Sequence, residues 1–405
     1  MTDAAVVGRN LREYHQAGIE ASGIRRLTGS VRGTRVSYWF GEPRAISTPG
    51  GPSGVGAPGG PGGPGLVVRA FRTDAPLAGQ FRGGRPAAVT DWLRSRAATL
   101  DWLEEHAYPA PRVIRTRSGD LVGLAGVWAT LATTYVTGTP LRPGSGQLRL
   151  LGEALGRLHA LGEALGRPHP LGEVSGRSQP LGEVSGRSHP LGEALGRAHL
   201  PGAVGGGAAI GRAAWDPERA IPAALGRLEA VEGLAPAGWR SLLDQFRAVL
   251  LAVRQRAPAL PFSVVHGDPW PGNAIHTAQD QVILIGWENA GLGLPLLDLG
   301  FCLLECHLDV GQPGNRPSAW HIHLDEKRIA AIVAGYSRWR QLQPAEKDLL
   351  LEGIRFPAAY VGAIDFEQAL LTGVRGRSMD VRLERLQNRL AVSDAVADLA
   401  RGHFG

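Results

Sequence analysis

Cysteine, methionine and long apolar runs are scarce in this chain of 405 residues. The two cysteines, Cys302 and Cys306, offer no disulfide framework and suit a reducing cytoplasm. They lie four apart on an expected helix, followed by His307, His321 and His323, but this spacing matches no standard zinc motif. Burial of both thiols as small hydrophobic groups is favoured over a metal site. Without a long apolar run or a signal peptide, a cytoplasmic protein with no membrane partner is expected.

Lysine is almost absent, because all 43 basic residues except Lys327 and Lys347 are arginine. Together with the 57 glycines, this preference for arginine over lysine is typical of a bias in the composition of the genome. It does not by itself indicate nucleic-acid binding. No cluster of basic and aromatic residues marks a nucleic-acid surface, so no nucleic-acid partner is expected. The positive charge is concentrated in residues 1–137, which hold 16 arginines against 10 acidic residues. That excess suits the attraction of a polyphosphate.

The hydrophobic pattern predicts strands in the first third of the chain and helices in most of the remainder. A hairpin is expected over 25–40, a strand over 66–71, and two short buried strands over 262–265 and 281–285. Helices are expected over 91–106, 148–158, 216–229, 239–256, 325–341, 346–368 and 379–401.

Two segments are expected to lie outside the regular core. Residues 47–65 are packed with glycine and proline, which breaks helices and strand ladders alike. A ten-residue unit occurs five times from 151 to 200, and its first copy reads LGEALGRLHA. Ten residues at about 100° each leave about 80° of drift per unit, so no apolar stripe persists through the copies. The first copy is therefore predicted to be a core-facing helix, and about 161–205 to be an exposed insertion without a function of its own.

The most informative stretch is 266–273, which reads His-Gly-Asp-Pro-Trp-Pro-Gly-Asn between two predicted strands. Asp268 and Asn273 lie five apart on this loop, as the chemistry of phosphoryl transfer requires. The aspartate accepts or orients the proton of the attacking hydroxyl, and the asparagine binds the magnesium ion that bridges the nucleotide phosphates. Glycine and aspartate also favour plain turns, so the motif gains its meaning from the asparagine and the flanking strands.

With Trp287-Glu288 after the second strand and a Gly-x-x-x-x-Asp-Leu pattern from Gly293 to Leu299, this loop resembles the aminoglycoside phosphotransferase and choline kinase-like family. Two further segments are similar to the same family. They are 151–159, which ends in Leu-His, and 102–113, which runs from Trp-Leu to Pro-Arg-Val. The resemblance implies an α+β, bilobal, protein-kinase-like fold with a small antiparallel-sheet N-lobe and a larger, mostly helical C-lobe.

Within that fold, residues 1–137 are expected to form the nucleotide-binding N-lobe, which contains the insertion 47–65. Residues 138–405 are expected to form the C-lobe, with the catalytic loop, the substrate site and the repeat insertion. The resemblance implies ATP or GTP and Mg²⁺ as cofactors. It also implies transfer of the γ-phosphate to a hydroxyl of a small molecule of the aminoglycoside or amino-alcohol class, while the substrate and the oligomeric state stay open.

Carried over position by position, the resemblance makes Asp268 the catalytic base, with His266 and Asp298 as structural support for its loop. Arg69 falls where related folds place the phosphate-binding lysine, and arginine is always charged and makes bidentate contacts to phosphate. The other expected nucleotide contacts are Gly29, Ser30 and Gly33 in the first hairpin, where small residues let the backbone approach phosphates, and Tyr135 and Val136 in the hinge. An ordinary hairpin turn is the alternative for the first three.

Two positions depart from the family pattern. Gly286 stands where the metal-binding aspartate is expected, which leaves Asn273 and Glu288 as the candidate metal ligands. Arg96 falls where the glutamate partner of the phosphate-binding cation is expected, and a like charge cannot orient Arg69. Loss of the metal carboxylate is expected to lower the rate by at least about 10²-fold if nothing replaces it.

Three interpretations of the function therefore remain open. The first is a working phosphotransferase, favoured because Asp268 and Asn273 are both present. The second is a kinase-like pseudoenzyme that binds nucleotide or ligand without efficient turnover, favoured by Gly286 and Arg96. The third is a degenerate gene product, marked by the repeats and the Gly/Pro insertion.

Acidic residues in the helical part raise a site for a cationic substrate as an alternative, although a solvated helix face is the favoured interpretation. They are Glu305, Asp309, Asp365 and Glu367.

Overall fold

In a computed structural model of the chain, the described residues are 24–29, 35–40, 66–73, 86–142, 144–165, 210–307, 324–371 and 377–405. Several positions discussed above lie outside these ranges: Ser30, Gly33, Asp309, the Gly/Pro-rich stretch 47–65 and the repeats from 166 onward. The expectations stated for them stay predictions.

An antiparallel five-stranded sheet forms the first part of the described chain, in the order β1-β2-β3-β5-β4. Its strands are β1 Ile24–Gly29, β2 Arg35–Phe40, β3 Leu66–Arg72, β4 Gly123–Ala125 and β5 Trp128–Thr134. Helix α1, Pro86–Glu105, packs against the sheet, and the rings of Phe71 and Trp92 meet edge to face at 5.0 Å. The predicted hairpin and the strand over 66–71 are confirmed.

Two small sheets carry the predicted catalytic loop between them. Strand β7 pairs with β10, and β8 pairs with β6 and β9. The strands are β6 Thr139–Pro140, β7 Ser263–Val265, β8 Ala274–His276, β9 Val282–Leu284 and β10 Gly291–Gly293. The loop 266–273 therefore starts at the end of β7 and ends where β8 begins.

Helices build the larger remainder. They are α2 Ser145–Glu163, α3 Pro217–Val231, α4 Ala237–Arg256, α5 Pro295–Glu305, α6 Glu326–Ser337, α7 Pro344–Asp348, α8 Leu350–Leu371 and α9 Arg377–Phe404. The leucines predicted to face the core, Leu148, Leu151, Leu155 and Leu158, are fully buried. The single helix expected over 346–368 is wrong in one detail, because the backbone leaves the helical region at Leu349 and separates α7 from α8. Among the described helices, none has the length and apolarity to cross a bilayer.

Helices α2 and α6 cross at very short range through glycines. A methyl group added to Gly152 would lie 2.2 Å from the Ile332 carbonyl oxygen, and one added to Gly156 would lie 2.5 Å from that of Tyr336. From the opposite side, a methyl group on Gly335 would lie 2.0 Å from the Arg149 carbonyl oxygen. The glycines of the first decapeptide copy therefore serve the core, because they let the two backbones touch.

Gly152→Ala is expected to lower the free energy of unfolding by about 1–3 kcal/mol, since the added methyl group forces the helices apart. Gly226→Ala in the interior of α3 is the matched control, because a methyl group there meets nothing within 4 Å. The control should raise stability by up to about 1 kcal/mol through helix propensity. Urea unfolding of both variants measures the effects, and an equal shift in both would contradict the close crossing.

Candidate active site

Asp268 and Asn273 are in direct contact on the loop between β7 and β8. The Asn273 Nδ2 donates to the Asp268 Oδ2 at 2.7 Å and to the Asp268 carbonyl oxygen at 3.0 Å. Burial raises the pKa of Asp268 to about 8; the Asn273 hydrogen bond opposes this, and the charges of Glu288, Glu305 and Asp298 add to it. A carboxylate whose pKa lies near the working pH can be ionised and still take up a proton, which is what a general base must do.

The main chain of this loop is fixed by Asp298 of α5. Its Oδ2 accepts from the His266 N–H at 2.6 Å, and its Oδ1 accepts from the Gly267 N–H at 2.8 Å. The His266 ring is fully buried, and burial lowers its pKa. It is therefore neutral, with Nε2 donating to the Ile285 carbonyl oxygen at 3.0 Å and Nδ1 accepting from the Asp268 N–H at 3.2 Å. These contacts have the geometry that a loop-supporting role requires.

Asp298→Asn is expected to cost about 3 kcal/mol of unfolding free energy, because the amide turns a donor toward backbone donors that are buried with it. Urea unfolding measures the loss, with the exposed Asp244→Asn as the control for removing a carboxylate. A loss no larger than that of the control would contradict the supporting role of Asp298.

A second buried layer continues outward from Asp298. The ring of His159, at the end of the Leu-His motif in α2, lies 3.3 Å from the Asp298 Oδ2 and 2.9 Å from the Tyr336 hydroxyl. Arg340 then joins the Tyr336 hydroxyl to both carboxylate oxygens of Glu346. Sequence reasoning missed Arg340 and Glu346, because nothing in a local pattern marks them as buried partners.

Gly286 adopts a left-handed conformation beside Asn273, with φ 83° and ψ 42°. A Cβ atom at this position would lie 3.1 Å from the Asn273 Oδ1. The Ile285 N–H donates to the Asn273 carbonyl oxygen at 2.8 Å, so the main chains of the two segments are also joined. A carboxylate at position 286 would therefore stand next to Asn273, as the family pattern implies.

Glu288, two residues further on, contacts Arg69 across the structure. The Arg69 Nε lies 2.5 Å from the Glu288 Oε1, and the two side chains are only 16% and 12% exposed. Arg96 of α1 donates its Nε to the Glu288 carbonyl oxygen at 2.9 Å and its Nη1 to the Arg212 carbonyl oxygen at 3.0 Å. Arg96, which stands where the family pattern has a glutamate, is thus a buried cation that binds the main chain of Glu288.

Two groups of contacts result. Asp298 and Asn273 hold the loop that carries Asp268. Arg69 contacts Glu288, whose charge contributes to the raised pKa of Asp268. Tyr135 and Val136 follow β5, the neighbour of β3, and burial raises the pKa of Tyr135. Gly29 is the last residue of β1. The nucleotide contacts expected of these three stay predictions.

The side chains present do not by themselves fit a resident magnesium ion. Magnesium in proteins is usually held by one or two carboxylates together with phosphate oxygens and waters. Position 286 has no side chain, and the Glu288 carboxylate contacts Arg69. Asn273 uses its amide nitrogen on Asp268, which leaves its oxygen toward Gly286. Within the described ranges, no group of three or more His, Cys, Asp or Glu side chains is arranged to hold a metal.

Two of the four acidic residues considered for a cationic substrate are buried. The expectation that they lie on a solvated helix face is therefore wrong for these two. Glu305 is buried in an ion pair with Arg389, and Glu367 is buried 3.3 Å from Arg227. Arginines on neighbouring helices neutralise both charges, which is what allows carboxylates to be buried.

Both cysteines are buried, and burial raises the pKa of each thiol. The interpretation of Cys302 and Cys306 as small hydrophobic groups is confirmed.

Comparison with known sequences gives one clear result. A profile of the phosphotransferase enzyme family matches residues 80–345, which is more than half of the chain. No curated protein sequence matches the chain.

Comparison with solved structures shows the same fold at low sequence identity. An amicoumacin kinase in complex with AMP-PNP, Ca²⁺ and Ami is 11% identical, covers 98% of this chain and 94% of its own, and has a TM-score of 0.59. A microcompartment-associated aminopropanol kinase is 15% identical, covers 98% of this chain and 99% of its own, and has a TM-score of 0.57. A choline kinase from Cryptosporidium parvum Iowa II is 12% identical, covers 98% of both chains, and has a TM-score of 0.51. These similarities confirm the α+β, bilobal, kinase-like fold.

Proposed function

The chain belongs to the phosphotransferase enzyme family, and on that premise we propose that it transfers the γ-phosphate of ATP or GTP to a hydroxyl group of a small molecule. The family and the fold indicate small-molecule phosphotransfer in general. The proposed acceptor is of the aminoglycoside or amino-alcohol class. The aminopropanol kinase and the choline kinase with this fold are named for amino alcohols, which supports that choice.

The observation that carries the proposal is the supported, half-buried Asp268. Its loop is held at two backbone N–H groups by Asp298, and its carboxylate is held by Asn273. In the proposed reaction Asp268 accepts the proton of the acceptor hydroxyl as that oxygen attacks the γ-phosphorus atom. Desolvation of this half-buried carboxylate raises its affinity for that proton. Such proton transfer contributes roughly 10²- to 10⁴-fold to a rate.

Arg69 is the cation proposed to hold the nucleotide phosphates. Its Nε faces Glu288, and the fork geometry of a guanidinium provides further donors for phosphate oxygens. A magnesium ion carried in with the nucleotide would supply charge neutralisation, with Asn273 as its protein ligand. Gly29, Ser30, Gly33, Tyr135 and Val136 are proposed to contact the nucleotide as well.

A screen for product tests the proposal. The purified chain is incubated with ATP or GTP, Mg²⁺ and a panel of aminoglycosides, amino alcohols and sugars, and mass spectrometry detects the gain of one phosphoryl group. Phosphorylation of at least one acceptor is expected. Absence of product from every acceptor, together with absence of nucleotide binding, would contradict the proposal.

A second candidate, a nucleotide- or ligand-binding pseudoenzyme, is favoured by one observation. Gly286 brings no carboxylate to the side of the Asn273 amide oxygen, and Glu288 contacts Arg69. On this alternative, ATP raises the melting temperature equally with and without Mg²⁺, and no acceptor is phosphorylated.

A further inference from the structure

The contact between Arg69 and Glu288 joins the sheet to the turn that follows Gly286. Arg69 lies on β3, and Glu288 lies on the short helical turn Trp287–Asn289. The carboxylate and the guanidinium are both largely buried and only 2.5 Å apart. Removing either partner would leave a poorly solvated charge, so the two side chains constrain each other strongly.

Arg96 fixes the backbone from which the Glu288 side chain starts. Burial, with a smaller contribution from Arg219, lowers the pKa of Arg96 to about 10, so its guanidinium remains charged at neutral pH. Its two hydrogen bonds to carbonyl oxygens join α1 to residue 288 and to residue 212. Charged donors form stronger hydrogen bonds than neutral ones, so this contact holds the turn firmly in place.

Glu288 therefore has a role available to it that does not involve a metal ion. Arg96 carries a charge of the wrong sign to orient Arg69, whereas the Glu288 carboxylate is in contact with Arg69. A divalent ion bound by Glu288 would compete with Arg69 for the same carboxylate. Arg69 would then lose the contact that sets its direction.

We propose that Glu288 is the positioning residue for Arg69, that Arg96 holds the turn carrying Glu288, and that Glu288 does not bind the divalent ion. This inference rests on the proposed function, because it concerns how the phosphates are held. The family pattern places the orienting carboxylate on helix α1, whereas here it would lie on the segment after β9. This explains how Arg96 can occupy the position on α1 where a glutamate is expected.

The first test measures how strongly nucleotide binding depends on magnesium. Isothermal titration calorimetry gives the Kd of AMP-PNP in EDTA and in excess MgCl₂, for the wild type and for Glu288→Gln. The ratio of the two Kd values is the magnesium dependence. It should agree within about twofold between the two proteins, because Glu288 is not a magnesium ligand. Glu104→Gln removes an exposed carboxylate paired with Arg112 and is the matched control.

The second test asks whether Glu288 acts through Arg69. Turnover is measured in the Gly286→Asp background for Glu288→Gln, Arg69→Met and the double variant. Glu288→Gln is expected to lower kcat by about tenfold or more while the Kd of AMP-PNP changes by less than about threefold, since the freed charge of Arg69 offsets its lost orientation. With Arg69→Met already present, Glu288→Gln should cause no further loss of kcat.

The outcomes separate the inference from the function on which it rests. A fall of the magnesium dependence toward one in Glu288→Gln alone, or losses of kcat that multiply in the double variant, would overturn the positioning role and leave phosphotransfer intact. If AMP-PNP binds neither protein, or no acceptor is phosphorylated even with Gly286→Asp, the proposed function fails and the inference fails with it.

Discussion

Gly286→Asp is expected to raise the rate of phosphoryl transfer by about 10²-fold, the scale of one added transition-state stabiliser. The new carboxylate would stand beside the Asn273 oxygen, since a Cβ atom at position 286 lies 3.1 Å from it. Two oxygen ligands in place of one should also make the affinity for AMP-PNP more dependent on Mg²⁺, which calorimetry measures independently of turnover.

The left-handed backbone at position 286 sets the controls for this experiment. A residue other than glycine is strained there by about 1–2 kcal/mol, although aspartate and asparagine tolerate this conformation better than most. Gly286→Asn has nearly the same shape and strain without the charge, so it should leave the rate low. If Gly286→Asn raises turnover as much as Gly286→Asp, the missing carboxylate is not what limits the wild-type enzyme.

Asp268→Asn is expected to reduce turnover by roughly 10²- to 10⁴-fold, because asparagine cannot accept the hydroxyl proton. The amide oxygen can still accept the Asn273 hydrogen bond, so the loop should keep its shape. Binding of AMP-PNP should then change little, which separates lost chemistry from lost folding. Retention of more than about a tenth of wild-type turnover would remove Asp268 from the role of base.

The same variant should make the ligand-free protein more stable, and the gain should depend on pH. The folded pKa of Asp268 is about 8, above the ordinary value of 3.8, so the folded state holds the proton more tightly than the unfolded state. Ionisation therefore costs stability progressively as pH rises from about 4 and reaches its full cost above about 8. Melting temperatures of the two proteins should agree near pH 4, and Asp268→Asn should melt higher at about pH 9. Equal melting temperatures at both pH values would contradict an unfavourable, poorly solvated charge on Asp268.

Local sequence signals were enough to predict the loop that carries Asp268 and Asn273. The strand before Asp268, the turn and the predicted strand over 281–285 are all encoded within residues 262–285, and apolar runs of that kind predict buried strands. The short strand β8 directly after Asn273 carries no such run and was not predicted. The helical remainder followed from apolar periodicity, including the first decapeptide copy with its buried leucines. In both cases the determining interactions lie close together along the chain.

The partners that support the site could not be read from the sequence in the same way. Arg96 and Glu288 are 192 residues apart, and a charge at either position has many conceivable partners until the fold brings the two together. The same limit applies to Glu305, because its sequence context predicts a solvated helix face, whereas the fold pairs it with Arg389 of another helix. Long-range pairing of charges depends on tertiary structure, which no periodicity reports.

Transfer of labelled γ-phosphate from ATP to an acceptor, compared between the wild type and Asp268→Asn, tests the proposed function most directly. The acceptor is the best substrate from the panel of aminoglycosides, amino alcohols and sugars, and Mg²⁺ is present. We expect slow transfer by the wild type and almost none by Asp268→Asn, although both bind AMP-PNP. Equal transfer by the two proteins, or none by the wild type and none by Gly286→Asp, would show that this chain is not a phosphotransferase that uses Asp268 as its base.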